Sequence, residues 1–273
     1  VEIAKLAVIV LLAAFIYKKN RYSKSIKFTI YCWIVGMIPA LLTLKVSSDL
    51  SSALVIMAIT FGLTFIFNRT KKMHMVVLLT TVGLIAGYIL HIKSNLPDPA
   101  HIDDYSYRIA RIVAWLYPDR YSDAAYQSQT ALYSIGSGGF WGVGLGRMYV
   151  NIPEGQTDFI FVLLTHQLGI FGGICLILCY VYLLFQILKI ALNACSLYET
   201  ILVIGILIHI ATQVVVNMGV CTSLLPNTGL PLVLMSYGGS SILTSFAELA
   251  ICVSVSKKSV VKVSKKIAKE ELG

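Results

Sequence analysis

The sequence predicts an all-α integral membrane protein with about seven transmembrane helices and one long extracytoplasmic loop. Of its 273 residues, 57% are hydrophobic and only 13% are charged, and the mean hydropathy is +0.80. A soluble domain of this length would contain far more charge. Apolar runs of roughly bilayer length recur along the chain, and basic residues follow alternate runs. The net charge of +9 therefore indicates a cytoplasmic membrane face and not nucleic-acid binding.

Seven apolar segments are interpreted as spans of a single transmembrane domain over residues 1–273. The first is short for a helix that needs about 20 residues to cross a bilayer. The fifth is too long for one span, and its Gly169 and Gly172–Gly173 predict a bend. The segments cover residues 3–17, 28–44, 51–67, 75–92, 159–191, 201–216 and 242–255.

The basic residues predict the orientation of these spans. Five lysines and arginines lie between residues 18 and 27, three lie between 69 and 72, and six lysines follow residue 255. Loops rich in lysine and arginine face the cytoplasm. The chain therefore begins outside and ends in the cytoplasm, and the segment 93–157 is the extracytoplasmic loop.

The loop contains the chemically most varied part of the chain. Arg108 and Arg111 lie three residues apart in an amphipathic stretch that Pro118 ends, which predicts an interfacial helix. Asp119 and Asp123 follow, with further polar residues at Arg120 and Gln127. On an exposed loop such residues are ordinarily solvated. At a lipid boundary, a carboxylate is also suited to act as a general base and arginines to bind a phosphate, so both interpretations stay open.

Six glycines follow between residues 136 and 146. The spacing of Gly142 and Gly144 resembles part of a dinucleotide-binding loop, but no strand–helix–strand unit is predicted to support one. Two interpretations remain: a flexible turn or close approach of helices, or a glycine-rich hinge that borders a substrate groove.

Other polar residues each allow a structural and a functional interpretation. Asp49 and Asp158 precede apolar runs, where an acid caps a helix or serves a site. His166–Gln167 lies inside an apolar run. The pair either forms hydrogen bonds between helices or belongs to a site. Glu2 and Lys5 either pair with one another or line a cavity. The six cysteines form no CxxC pair and are predicted to be packing residues.

Several motifs resemble the SEDS family (shape, elongation, division and sporulation), which contains FtsW, RodA and SpoVE. Pro153–Phe161 is close to the family's LPE-x-x-TDFIF signature, and the Glu2–Lys5 stretch resembles its PSE-x-x-K. Because that stretch follows several earlier spans in a fold of about ten, this resemblance implies a missing amino-terminal portion. The other matching segments are Tyr126–Gln127, Gly136–Gly146, Asn217, Pro226–Pro231 and Ser236–Ser241.

The resemblance implies polymerisation of lipid II outside the membrane. A growing glycan is transferred from undecaprenyl pyrophosphate to the 4-hydroxyl of an incoming disaccharide, beside a class B penicillin-binding protein. The resemblance assigns the catalytic acid to Asp123, with Asp119 second. Cations must stabilise the leaving pyrophosphate, and either arginines or a divalent ion would do so; the residues predict no metal ligands. The expected substrate-binding residues are Arg108, Arg111, Arg120, Lys5, Gln127, Asp158 and Ser236.

Departures from the family pattern keep two other functions open. His166–Gln167 stands where paired acids are usual, the stretch Ser48–Ser51 keeps only its central Asp49–Leu50, and Val1 and Val233 replace a usual serine and proline. A non-catalytic scaffold that binds the transpeptidase is one alternative. A flippase for the lipid-linked precursor is the other, and it would need a polar path across the bilayer.

Overall fold

The computed structural model describes residues 1–47, 49–147 and 152–270, and within them the regular structure is entirely helical. Ser48 and residues 148–151 of the predicted loop lie outside the described residues. Short 3₁₀ helices cover Asn20–Tyr22 and Pro99–Asp104. The α-helices of the described residues are α1 Glu2–Lys18, α2 Ile26–Val46, α3 Leu50–Phe67, α4 Lys71–Ser94, α5 Tyr107–Leu116, α6 Ser122–Gly138, α7 Ile160–Leu192, α8 Leu197–Cys221 and α9 Gly239–Glu270.

Six of these helices are long and apolar enough to cross a bilayer. They are α2, α3, α4, α7, α8 and the Gly239–Val260 part of α9. Helix α1 has 17 residues, somewhat below the length of an ordinary span. The predicted all-α membrane fold is therefore confirmed, while the seventh span stays a prediction.

The chain forms two compact units. Unit 1 comprises residues 1–71, 179–213 and 238–273, and unit 2 comprises residues 72–178 and 214–237. Helices α7 and α8 each contribute residues to both units. The prediction of a single domain remains a prediction.

In unit 1, small residues allow α1, α2, α3 and α8 to pack closely. A Cβ at Gly36 would overlap the side chain of Thr60, and one at Gly205 would lie 2.6 Å from Ile9 Cγ2. At the start of α3, the Asp49 carboxylate accepts a hydrogen bond from Ser52 N at 2.9 Å. The capping interpretation of Asp49 is thus confirmed, and such a cap contributes about 1 kcal/mol.

In unit 2, the predicted long loop contains two helices. Helix α5 confirms the amphipathic helix, whereas α6 was not predicted from the sequence. Both pack on a small buried cluster that also receives the end of α4. Tyr121 belongs to this cluster and is 3% exposed, and its hydroxyl donates to Pro97 O at 2.7 Å. The cluster therefore fixes the turn between α5 and α6.

Helix α7 is broken at Gly169, where the backbone has φ +71°. The glycine-rich segment after α6 covers this break with backbone hydrogen bonds. Val143 N donates to His166 O at 3.1 Å, and Ile170 N donates to Gly139 O at 3.0 Å. The predicted bend thus lies at Gly169, and the exposed peptide groups of the break gain partners.

The contact between these two segments requires glycine on both sides. A Cβ at Gly142 would overlap Gln167 O, and a Cβ at Gly169 would overlap Phe140 O. Of the two interpretations of the glycine run, close backbone approach describes this part of it.

Candidate functional site

Four segments of unit 2 meet around the residues that the sequence analysis selected. They are α5, the first half of α6, residues 152–159, and residues 222–237 between α8 and α9. Asn217 on α8 holds two of them, since its Nδ2 donates to Asp158 O and to Leu230 O, both at 2.7 Å. Its side chain is buried, with 1% exposed. A buried amide with both hydrogens donated fixes the positions of the two carbonyls.

Ser236 joins the same two segments further along. Its hydroxyl donates to Thr157 O at 2.5 Å and accepts from Leu232 N at 2.6 Å. The next residue, Tyr237, donates its N–H to Gln156 O at 2.9 Å. Ser236 is 1% exposed, so its hydroxyl serves to connect these loops. Its predicted contact with substrate stays a prediction.

Helix α5 is attached to the 222–237 segment by two side chains one turn apart. Arg111 Nη1 donates to Asn227 O at 3.0 Å, and Trp115 Nε1 donates to Ser223 O at 2.9 Å. The Arg111 guanidinium also lies 4.2 Å from the centre of the Tyr107 ring and donates to the Tyr107 hydroxyl. Stacking and two hydrogen bonds hold a half-buried cation in one place.

Asn227 connects α6 to the same segment. Its Nδ2 donates to Gln127 Oε1 at 2.8 Å, and its Oδ1 accepts from Gly229 N at 3.3 Å. Together with the Arg111 contact, the main-chain oxygen and both polar side-chain atoms of Asn227 form hydrogen bonds. Asn227 lies inside the Pro226–Pro231 signature but was not among the site residues predicted from the sequence. Asn227 lies between Pro226 and Gly229, and this combination of turn-forming residues could have identified it from the sequence.

An acid and a cation border Gly229, whose φ is +72°. A Cβ at this glycine would lie 3.5 Å from Asp158 Oδ2 and 3.8 Å from both Nη atoms of Arg111. The structure thus brings Arg111, Asp158, Gln127 and Asn227 into one cluster, which we name the Arg111 cluster. Opposite charges beside a bare backbone form a polar surface suited to a charged ligand.

Asp123 precedes Gln127, a member of the Arg111 cluster, on α6. It is exposed, in the first turn of α6, and one helical turn before Gln127, so the two side chains share a face. Asp119 and Arg120 are exposed in the turn before α6, where the Arg120 guanidinium lies 5.8 Å from the Tyr121 ring centre. The roles of Asp123 and, second, of Asp119 as the catalytic acid stay predictions.

The remaining two candidates are Arg108 and Lys5. Arg108 is exposed near the start of α5. Lys5 belongs to unit 1 and is 0% exposed; its Nζ lies 2.6 Å from Glu2 Oε1. The predicted pairing of Glu2 with Lys5 is confirmed, and the substrate contact of Lys5 stays a prediction.

His166 takes part in helix packing. Its Nδ1 lies 2.9 Å from Ser134 O and 3.3 Å from the Ser137 hydroxyl, and its side chain is 2% exposed. Because a carbonyl only accepts, Nδ1 must carry the proton of this bond. The hydrogen-bonding interpretation of His166 is therefore favoured over the site interpretation.

The Arg111 cluster combines the groups that a transfer from a phosphate leaving group requires. A fixed guanidinium stabilises developing negative charge, and a nearby carboxylate can accept a proton from a hydroxyl. Among the described residues, no three His, Cys, Asp or Glu side chains are grouped as metal ligands.

Residues 1–260 match the cell cycle protein family of FtsW, RodA and SpoVE. The chain belongs to this family. It is 33% identical over 262 residues to stage V sporulation protein E of Bacillus subtilis, a match that covers 94% of this chain and 68% of that protein. It is 31% identical over 266 residues to the probable peptidoglycan glycosyltransferase FtsW of Tolumonas auensis, covering 93% of this chain and 65% of that one.

A solved structure shares the fold. One chain of a peptidoglycan synthase complex, studied for the coordination of polymerisation and crosslinking, matches with a TM-score of 0.72 and 25% identity. The match covers 94% of this chain and 69% of that one. The chain therefore spans about two thirds of the length of its relatives.

Proposed function

We propose that this protein is a peptidoglycan glycosyltransferase that polymerises lipid II at the outer face of the membrane. The observation that supports this most strongly is the convergence of the family's signature segments on the Arg111 cluster. Gln127, Asp158 and Asn227 come from three different signatures and meet beside one arginine. The naming of relatives as peptidoglycan glycosyltransferases points to the same activity.

In the proposed reaction, Asp123 is the general base. Its carboxylate removes the proton from the 4-hydroxyl of the incoming disaccharide, whose oxygen attacks the anomeric carbon of the growing strand. The bond from that carbon to the pyrophosphate oxygen breaks, and undecaprenyl pyrophosphate leaves with the electron pair. Its negative charge is stabilised by arginines.

Arg111 is the preferred pyrophosphate-binding residue. Because Tyr107 and Asn227 O already fix its guanidinium, it loses little side-chain entropy when a ligand binds. The exposed Arg108 and Arg120 supply further positive charge around the same region. Gln127 and Asp158 orient the sugar hydroxyls through hydrogen bonds.

The test is polymerisation of purified lipid II by the full protein, supplied with any amino-terminal spans that precede this sequence. We expect glycan strands from the wild type and at least a 100-fold lower rate from Asp123→Ala, because general base catalysis contributes roughly 10²–10⁴-fold. Asp98→Asn, which alters another exposed carboxylate of unit 2, is the matched control and should polymerise normally. Full activity of Asp123→Ala with loss in Asp119→Ala would transfer the role to Asp119.

We further propose that a class B penicillin-binding protein crosslinks the product. The support is the structural match to a peptidoglycan synthase complex. Copurification of such a transpeptidase without polymerisation by the wild type would instead favour the scaffold function.

A further inference from the structure

Five polar side chains form a continuous hydrogen-bonded chain among α1, α8 and α9 in unit 1, which we name the buried polar chain. Lys5 Nζ donates to Glu2 Oε1 at 2.6 Å and to Gln213 Oε1 at 3.2 Å. His209 Nε2 lies 2.8 Å from the same Gln213 oxygen. His209 Nδ1 lies 2.7 Å from Glu248 Oε1.

These groups are withdrawn from solvent inside the membrane-spanning bundle. Lys5, Gln213 and Glu248 are 0% exposed and His209 is 2% exposed, and α8 and α9 are candidate spans. Ionisable side chains at such positions are costly unless they are paired, and where they occur they commonly serve proton or ion binding. The proposed glycosyl transfer uses neither His209 nor Glu248.

The donors and acceptors of the buried polar chain determine where its protons lie. An ammonium group has no acceptor, so the Gln213 atom that faces Lys5 must be the amide oxygen. That oxygen accepts and cannot donate, so His209 Nε2 must carry a proton to bond with it. The contact between Nδ1 and Glu248 then needs a second proton, because a bare Nδ1 and a carboxylate oxygen would repel each other at 2.7 Å.

The second oxygen of Glu248 indicates which partner holds that proton. Oε2 is buried and has no hydrogen-bond partner among the described residues. An ionised carboxylate with one bare oxygen is far less stable in an apolar interior than a neutral carboxyl group. A Glu248 hydroxyl that donates to His209 Nδ1 satisfies all of these contacts.

We propose that His209 and Glu248 form a buried proton-binding site that holds one proton between α8 and α9. In water, free glutamate and histidine side chains have both released this proton well below pH 8. Side chains that are free in water after unfolding therefore do not hold the proton that the hydrogen bonds of the folded pair require. When the proton leaves, Nδ1 and the carboxylate face each other without a donor, and the two helices lose this contact.

Titratable groups on α1 and α9 lie around the pair. From α1, Lys5 and Glu2 reach it through Gln213 and balance one another as an ion pair. From α9, the buried thiol of Cys252 lies one turn beyond Glu248. Since the charges of Lys5 and Glu2 cancel, the proton is bound mainly by the direct contact of His209 with Glu248.

The first test counts protons released on unfolding. The full protein is unfolded by denaturing detergent at pH 8 in weak buffer, with an indicator dye. We expect the wild type to release one proton more than Glu248→Gln. The amide of that variant still donates to Nδ1, so the hydrogen bond and the fold are kept while the titrating proton is removed. Glu199→Gln, which alters a carboxylate paired with Lys258, is the control and should release as many protons as the wild type.

The second test uses the folded protein alone. With ¹⁵N-labelled histidine, the His209 signal is identified among five histidines by its absence in His209→Gln, and infrared spectra report protonated carboxyl groups. We expect a carboxylic-acid band at pH 8 that is lost in Glu248→Gln, together with a protonated Nε2. Equal proton release by wild type and Glu248→Gln would overturn the proposal. So would an unprotonated Nδ1 without a carboxylic-acid band.

Discussion

Arg111 shows what fixes a functional side chain at the scale of one residue. Its guanidinium stacks on Tyr107 and donates to Asn227 O at 3.0 Å. The amphipathic spacing of the residues predicted the helix α5 that carries Arg111. It did not predict Asn227, because that contact depends on a segment 116 residues away, and no local pattern encodes it.

Replacement of Arg111 by lysine tests the role of the planar guanidinium group, whose N–H donors form a rigid fork. A lysine keeps the positive charge but cannot reproduce the stacked fork and its hydrogen bonds. We expect kcat/KM for polymerisation to fall roughly 5- to 30-fold, mainly as a higher KM for lipid II, since about 1–2 kcal/mol of binding free energy is lost. Arg108→Lys, at an exposed position of the same helix, should have a smaller effect. An unchanged KM in Arg111→Lys would contradict the proposed pyrophosphate contact.

At the scale of elements, the broken helix α7 and the glycine segment stabilise one another. The sequence predicted a bend in the long apolar run, because glycines interrupt it. The sequence left open the role of the glycine run that precedes this apolar run. The pairing of these two segments depends on their three-dimensional approach at Gly142 and Gly169, so the sequence alone could not choose between a hinge and a close contact.

Gly142→Ala tests this contact. The added methyl group would overlap Gln167 O, and the residue has φ +79°. We expect a loss of roughly 2–4 kcal/mol from overlap and backbone strain, seen as a lower thermal denaturation temperature in mild detergent.

Gly136→Ala provides the matched control. This glycine lies within α6 with no atom within 4 Å of an added Cβ, so alanine should be neutral or stabilising by up to about 1 kcal/mol. Equal denaturation temperatures for the two variants would refute the close contact.

At the scale of the whole molecule, the fold class followed from composition because long apolar runs have few alternatives in a bilayer. The unpredicted helix α6 has a different origin. Residues 122–138 are polar on several sides and rich in serine and glycine, so their helix depends on packing against the Tyr121 cluster and not on local propensity. Only part of the buried polar chain could be predicted from the sequence. Glu2 and Lys5 are three residues apart, whereas His209 and Glu248 are 39 residues apart.

The proposed orientation of the molecule is tested by labelling single cysteines in a variant that lacks the native six. We expect a membrane-impermeant maleimide to label Ser106→Cys on intact cells, because the segment with α5 and α6 is proposed to lie outside. Lys24→Cys, in the basic loop after α1, should be labelled only after the membrane is opened. The reverse pattern would invert the topology and remove the site from its lipid-linked substrate.

The central claim is that Asp123 acts as the base of a polymerase whose Arg111 cluster binds the substrate. The most direct measurement compares lipid II binding and polymerisation in Asp123→Asn, which keeps the shape of the side chain. We predict binding within about threefold of the wild type and a polymerisation rate at least 100-fold lower, since only the proton transfer is lost. Wild-type polymerisation by Asp123→Asn would contradict the account.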